Sequence, residues 1–162
     1  MEASFPMYVL PVDAVHSLQR IPPHEEARHL LRPWSEGMVT LFVSHTWLSS
    51  EHPDNSENSK LKLLQAFLRS AGSKDIHADY TLELAMGNQL KIPAKRSAAI
   101  AYVWLDYWSI PQANRDNQAR AIESIHTYIA RSSFFACVAG AWVHKSGAPR
   151  DLAAWTKRGW SI

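Results

Sequence analysis

Three continuous apolar runs, separated by amphipathic stretches and polar loops, frame this chain. Met38–Ser44, Ala99–Asp106 and Ser133–Ala139 are rich in β-branched and aromatic residues and do not alternate with polar ones. Unbroken runs of this length predict strands covered on both faces, as in a parallel sheet. Between the first and second runs, Leu61, Leu64 and Leu68, with Leu63 and Phe67, recur at helical spacing. They predict a helix from Lys60 to about Ala71, capped by Asn58 or Ser59 and stopped by Gly72. Between the second and third runs, Gln118, Ile122, Ile125 and Ile129, flanked by Ala121 and Tyr128, predict a helix from about Arg115 to Arg131. Asn114 and Asp116 favour its start and Arg131 its end. After Gly140, Asp151 is placed to cap a last helix carrying Leu152, Trp155 and Trp160.

The remaining stretches read less regularly. Residues 1–37 form an N-terminal helical extension: Tyr8–Leu10 as a short edge strand, a helix from Asp13 through Arg20, and another from Pro22–Pro23 through Leu31. Ser49–Ser59 contains no large apolar residue and predicts an exposed, mobile loop. Residues 73–99 read as an insertion, with a helical stripe in Leu82, Ala85, Met86 and Leu90 followed by a basic surface loop around Pro93. The order strand–helix–insertion–strand–helix–strand–helix predicts an α/β domain over 38–162, three-layered around a parallel sheet.

Composition bounds the class. The chain has 162 residues, 46% hydrophobic and 20% charged, which suits a globular domain. A net charge of +2 with scattered Lys and Arg argues against a dedicated nucleic-acid surface. No apolar run approaches bilayer-spanning length, and MEASFPMYVLPVD lacks the basic start of a secretory signal, so a reducing, cytoplasmic setting is expected. The single cysteine, Cys137, lies inside the third apolar run and reads as a small buried hydrophobe. Seven tryptophans are too many for all to bury their ring N–H groups easily.

A parallel sheet brings three strand ends to one edge, where open α/β sheets bind ligands. The first end supplies Ser44, His45, Thr46 and Trp47; the second Asp106, Tyr107, Trp108 and Gln112; the third Gly140, Trp142 and His144. Hydrogen-bonding groups beside flat aromatic faces suit a nucleotide or another planar polar ligand. Ser44, His45 and Asp106 match a hydrolase triad in residue type. Adjacent strand residues point to opposite faces, however, and the chain has no Gly-x-Ser-x-Gly elbow. No glycine-rich phosphate loop follows any strand, and no spacing supports a metal site at His45, Asp106 and His144. Asp106 reads equally as a ligand group or as an acceptor for backbone N–H groups of its own loop.

The motifs Leu41–Trp47 (LFVSHTW), Tyr102–Gln112 (YVWLDYWSIPQ), Ser132–Gly140 (SSFFACVAG) and Trp155–Ser161 (WTKRGWS) occur in an order that resembles the TIR (Toll/interleukin receptor) superfamily. The resemblance is nearest to its heterokaryon-incompatibility (HET) branch, where "VSHxW", "WIDxxCINQ" and "RxWxxxE" recur in that order. It implies a flavodoxin-like sheet, homotypic self-association through the loop Tyr107–Asn114, and a signalling role. Many TIR domains cleave NAD with a glutamate, and the resemblance implies NAD as a ligand lined by Ser44, His45 and Trp47, with Asp106, Tyr107 and Gln112 at the rim. The family glutamate falls a few residues beyond Trp160, past Ile162, so the resemblance implies a sheet incomplete at the C-terminus and no catalytic residue in this chain. A non-catalytic self-association or adaptor module is the alternative.

Overall fold

The structure, a computed structural model, describes residues 2–78 and 90–156. Its centre is a five-stranded sheet with helices on both faces. The strands are β1 (Tyr8–Pro11), β2 (Arg32–Pro33), β3 (Thr40–His45), β6 (Tyr102–Leu105) and β7 (Phe134–Val138), in the order β2-β1-β6-β3-β7. The β3, β6 and β7 strands run parallel, with Phe42 level with Trp104 on one side and Phe135 on the other. Their carboxyl ends therefore share one edge, as the apolar runs predict.

The sheet is mixed rather than parallel throughout. β1 runs antiparallel to β6, with Leu10 opposite Val103, and antiparallel to β2, with Val9 opposite Arg32. It is thus an inner strand, not an edge. Val9 and Leu10 are fully buried, so the short YVLP run has apolar partners on both faces. The edge position falls to Arg32–Pro33, where a proline costs no interior ladder bond.

Alternation along β3 sends successive side chains to two different cores. Leu41 and Val43 pack with Leu61, Leu64 and Leu68 of α3 (Ser59–Ser70) and with Val15 of α1 (Val12–Ser17). Phe42 faces the other way, stacked on Trp104 at 4.1 Å between centroids, beside Ala121 of α6 (Arg115–Glu123) and Ile125 and Tyr128 of α7 (Ile125–Arg131). Tyr128 donates its hydroxyl to the Phe5 carbonyl at 2.8 Å, and burial pushes that hydroxyl up to about 12.

Several local expectations are corrected. The helix foreseen over 115–131 breaks at Ser124, whose hydroxyl bonds the Arg120 carbonyl and accepts from the Phe5 N–H. The buried line is Ala121, Ser124, Ile125 and Tyr128, and Ile122 is 43% exposed. Leu63 is likewise 45% exposed, because the buried face of α3 is made by Lys60, Leu61, Leu64, Gln65 and Leu68. The α1 helix ends at Ser17 and has no side-chain cap. α2 (His24–Ala27) is a single turn begun after Pro23.

The loop before α3 is anchored rather than loose. Asp54 is 5% exposed and accepts the N–H groups of Lys60 and Leu61, one on each oxygen, so it caps α3 in place of Asn58 or Ser59. Gly72 ends α3 at φ 87, and a Cβ there would stand 2.7 Å from the Ala98 Cβ. In the insertion, β4 (Ile76–Ala78) and β5 (Leu90–Ile92) form an antiparallel pair, followed by α4 (Ala94–Ser97). The helical stripe expected through Leu82, Ala85 and Met86 lies outside the described residues, and Leu90 at its end is in a strand.

Candidate ligand site at the strand ends

β6 ends on Asp106, which opens α5 (Asp106–Ser109), a single turn closed by Ile110 N–H donating to the Asp106 carbonyl at 2.8 Å. Trp108 turns inward, fully buried, with its indole N–H toward the Val103 carbonyl at 3.4 Å. It anchors the turn and belongs to the core, so the Asp106 carboxylate is left facing the end of β3.

There it meets two residues of the first strand end. His45 Nε2 lies 2.8 Å from Oδ1, and Trp47 Nε1–H donates to Oδ2 at 2.9 Å. Burial raises the Asp106 carboxyl, but the adjacent His45, with the hydrogen bonds from His45 and Trp47, outweighs it and holds the group below its ordinary range. The His45 side chain is 2% exposed and that of Asp106 31%. The carboxylate thus sits at the mouth with the imidazole behind it. Tyr107 meets the Trp47 ring edge-on at 5.3 Å and the His52 ring at 5.2 Å, walling the same mouth.

Behind His45 lies Lys60, which the amphipathic pattern does not single out. It is 2% exposed on the sheet-facing side of α3. Its ammonium donates to the Thr46 carbonyl, lies 3.5 Å from His45 Nδ1 and sits 5.4 Å from the centre of the Trp142 ring. An ammonium only donates and an ionised carboxylate only accepts. The line Lys60–His45–Asp106 is therefore satisfied when Nδ1 accepts and Nε2 donates. One sequence signal for Lys60 exists: a cation in the first turn of a helix opposes the helix dipole, so a partner had to be sought for it.

Ser44 leaves β3 on the opposite face from His45. Its hydroxyl accepts from the indole N–H of Trp155 at 3.0 Å, in α8 (Leu152–Thr156). Both imidazole nitrogens of His45 are engaged by Asp106 and Lys60, which leaves neither to serve Ser44 as a base. The triad is thereby absent as a geometry although its three residue types are adjacent. Ser44, His45 and Asp106 do line one cavity of ≈ 110 Å³, with Phe42, Trp104 and Phe135 among its walls. Trp104 is 2% exposed, and its indole N–H has no acceptor among the described residues.

Two foreseen members stand elsewhere. Gln112 is turned away: its backbone N–H, with that of Ala113, donates to Glu25 Oε1 of α2, each at 2.8 Å, and its side chain bonds the Ile110 carbonyl. His144 pairs with Ser146 in an exposed turn. The third strand end contributes instead through Trp142 over Lys60, and through Arg150, whose Nε–H donates to the Trp47 carbonyl at 3.0 Å. Among the described residues no three His, Cys, Asp or Glu side chains are grouped to hold a metal ion. No helix among them is long and apolar enough to cross a membrane.

Compared with models of known protein families, with curated proteins and with solved structures, the chain gives no match. What is established is the class: an α/β domain in which β6, β3 and β7 run parallel and the ends of β3 and β6 converge on a His45–Asp106 pair.

Proposed function

We propose that this chain is a TIR-like signalling module that binds NAD or a related nucleotide at the carboxyl edge of β3 and β6 without hydrolysing it. The observation that carries the reading is the cavity shared by Ser44, His45 and Asp106 at the carboxyl edge of β3 and β6, with the rings of Phe42, Trp104 and Phe135 among its walls. The cavity, ≈ 110 Å³, matches one planar ring. A cavity of about 150 Å³ holds benzene, whereas whole drug-sized ligands take roughly 300–1,000 Å³. The rest of a dinucleotide would extend out of the cavity past the partly exposed Asp106 carboxylate. The strand order β6-β3-β7, with the first of the three in the middle, is that of the start of a flavodoxin-like sheet and supports the same reading.

Hydrolysis is left out for a chemical reason. Cleaving a glycosidic bond to nicotinamide needs a carboxylate free to face a developing positive charge. Both oxygens of Asp106 are occupied by His45 and Trp47. Titration of the chain with NAD tests this, followed by amide chemical shifts and by assay of NAD consumption. Saturable shifts at Ser44, Trp47 and Tyr107 without consumption are expected. Absence of binding at millimolar NAD removes the nucleotide reading, and steady consumption removes the non-catalytic one.

A specific observation favours self-association as a second reading. Among the described residues β7 pairs only with β3, and its Phe135 is 47% exposed in a run, FFACV, without a charge. Sedimentation across a concentration series decides it: a monomer at every concentration would end the self-association reading.

A further inference from the structure

A second hollow lies between β1, α2, the Pro111 turn and the start of α6, with a volume of ≈ 470 Å³. That is within the range of small-molecule sites. Its floor is aromatic and apolar: Phe5 and Tyr8, 5.9 Å apart between centroids, and the buried Pro111. Its polar groups converge from two sides: Glu25 of α2 with Arg28 just after it, and Asn117 of α6.

Arg28 is held in a defined place. Its guanidinium carbon stands 4.9 Å from the centre of the Tyr8 ring, and its Nη1 lies 3.4 Å from His24 Nε2. His24 is itself fixed, with Nδ1 3.0 Å from the Trp108 carbonyl, and burial lowers its proton affinity, which keeps Nε2 an acceptor. Glu25, which lines the same hollow, takes two backbone N–H groups on its Oε1. Among the described residues no carboxylate pairs with Arg28. One edge of a planar, pre-oriented guanidinium is thus left over a hydrophobic floor, the arrangement that receives a carboxylate in two parallel bonds.

The geometry points to a binding site for a small aromatic carboxylate, its ring on Phe5, Tyr8 and Pro111 and its carboxylate on Arg28. Nothing in the nucleotide reading requires this site, and neither stands on the other. Benzoate, benzamide and benzylamine share one ring and differ in charge, so they separate ring burial from recognition of the anion. Each is titrated into the whole chain and followed by amide shifts. Benzoate is expected to saturate, moving the amides of Tyr8, Arg28 and Asn117, with benzamide and benzylamine at least about tenfold weaker. Arg28→Gln, at an exposed position, should keep the melting temperature and weaken benzoate by about tenfold or more, with Arg28→Lys between the two. Equal affinity for benzoate and benzamide, shifts confined to Trp47 and Tyr107, or no saturable benzoate binding would each overturn the assignment, and the ligand comparison does so without any variant.

Discussion

His45 and Asp106, 61 residues apart in the chain, meet at 2.8 Å across the ends of two neighbouring parallel strands. The register of β3 on β6 makes this contact: with Val43 level with Leu105, Asp106 lies one residue and His45 two residues past the last paired position. Asp106 is the hub, since Trp47 reaches its second oxygen.

The first prediction concerns acid. The Asp106 carboxyl is held below its ordinary value in the fold, so the unfolded chain binds this proton more tightly than the native one. The stabilisation is complete above about pH 4, the ordinary range of an aspartate, and is lost as pH falls through the lower, folded value. Asp106→Asn should lower the melting temperature near neutrality and flatten the acid limb of the stability–pH curve. Parallel curves for the two proteins below about pH 4 would count against the pairing.

Trp47→Phe keeps a ring against Tyr107 and removes the donor to Asp106. A hydrogen bond to a charged group predicts a loss of roughly 1.5–3 kcal/mol, reduced by the partial exposure of the carboxylate. In urea unfolding, Trp47→Phe combined with Asp106→Asn should cost less than the sum of the two singly, because they share one bond. Strict additivity would show that the bond contributes nothing.

Asp54→Ala removes the acceptor for two N–H groups in the first turn of α3. A loss of about 1–2 kcal/mol is expected. Asp54→Asn should recover part of it, since one side-chain oxygen remains. Asn58→Ala and Ser59→Ala should cost less than Asp54→Ala, and the reverse ranking would restore the cap to the residues that immediately precede the helix.

Glu25 fixes the loop after α5 through the Gln112 and Ala113 amides. Burial raises its carboxyl, but the bonds from Ala113 and Gln112 bring it below its ordinary value. The clamp is thus intact above about pH 4.5 and released as pH falls through the folded value. Hydrogen exchange at these two amides should accelerate in Glu25→Ala, and less in Glu25→Gln, which keeps a neutral acceptor. Unchanged exchange in Glu25→Ala would place the hold on the loop elsewhere.

Cys137 sits on β7 opposite Ser44, half-buried, and burial pushes its thiol up to about 11. Near pH 8 only about one thiol in a thousand is then ionised. Modification by a thiol-specific disulfide reagent should be slow in the native protein and fast in urea. Rapid native modification would contradict the half-buried placement.

The chain's local pattern alone set out the three parallel strands, the helices between them and the edge where Ser44, His45, Trp47 and Asp106 gather. Continuous apolar runs and helical spacing are local signals, and a parallel sheet follows from their alternation. The tertiary structure alone decided what that edge is made of. Nothing local foretold that YVLP would enter the sheet antiparallel to β6, because a four-residue run takes whichever ladder offers free N–H and C=O groups. Nothing local showed that Gln112 would turn toward Glu25, 87 residues away, rather than toward Asp106. Lys60 stands on α3 within a sequence pattern that marks only its leucines and Phe67, and joins the strand-end cluster because the helix lays it against His45 and Trp142. Ser44, His45 and Asp106 have the composition of a triad. The strand's twofold alternation, with Lys60 and Asp106 taking both nitrogens of the imidazole, makes them a braced hydrogen-bonded edge instead.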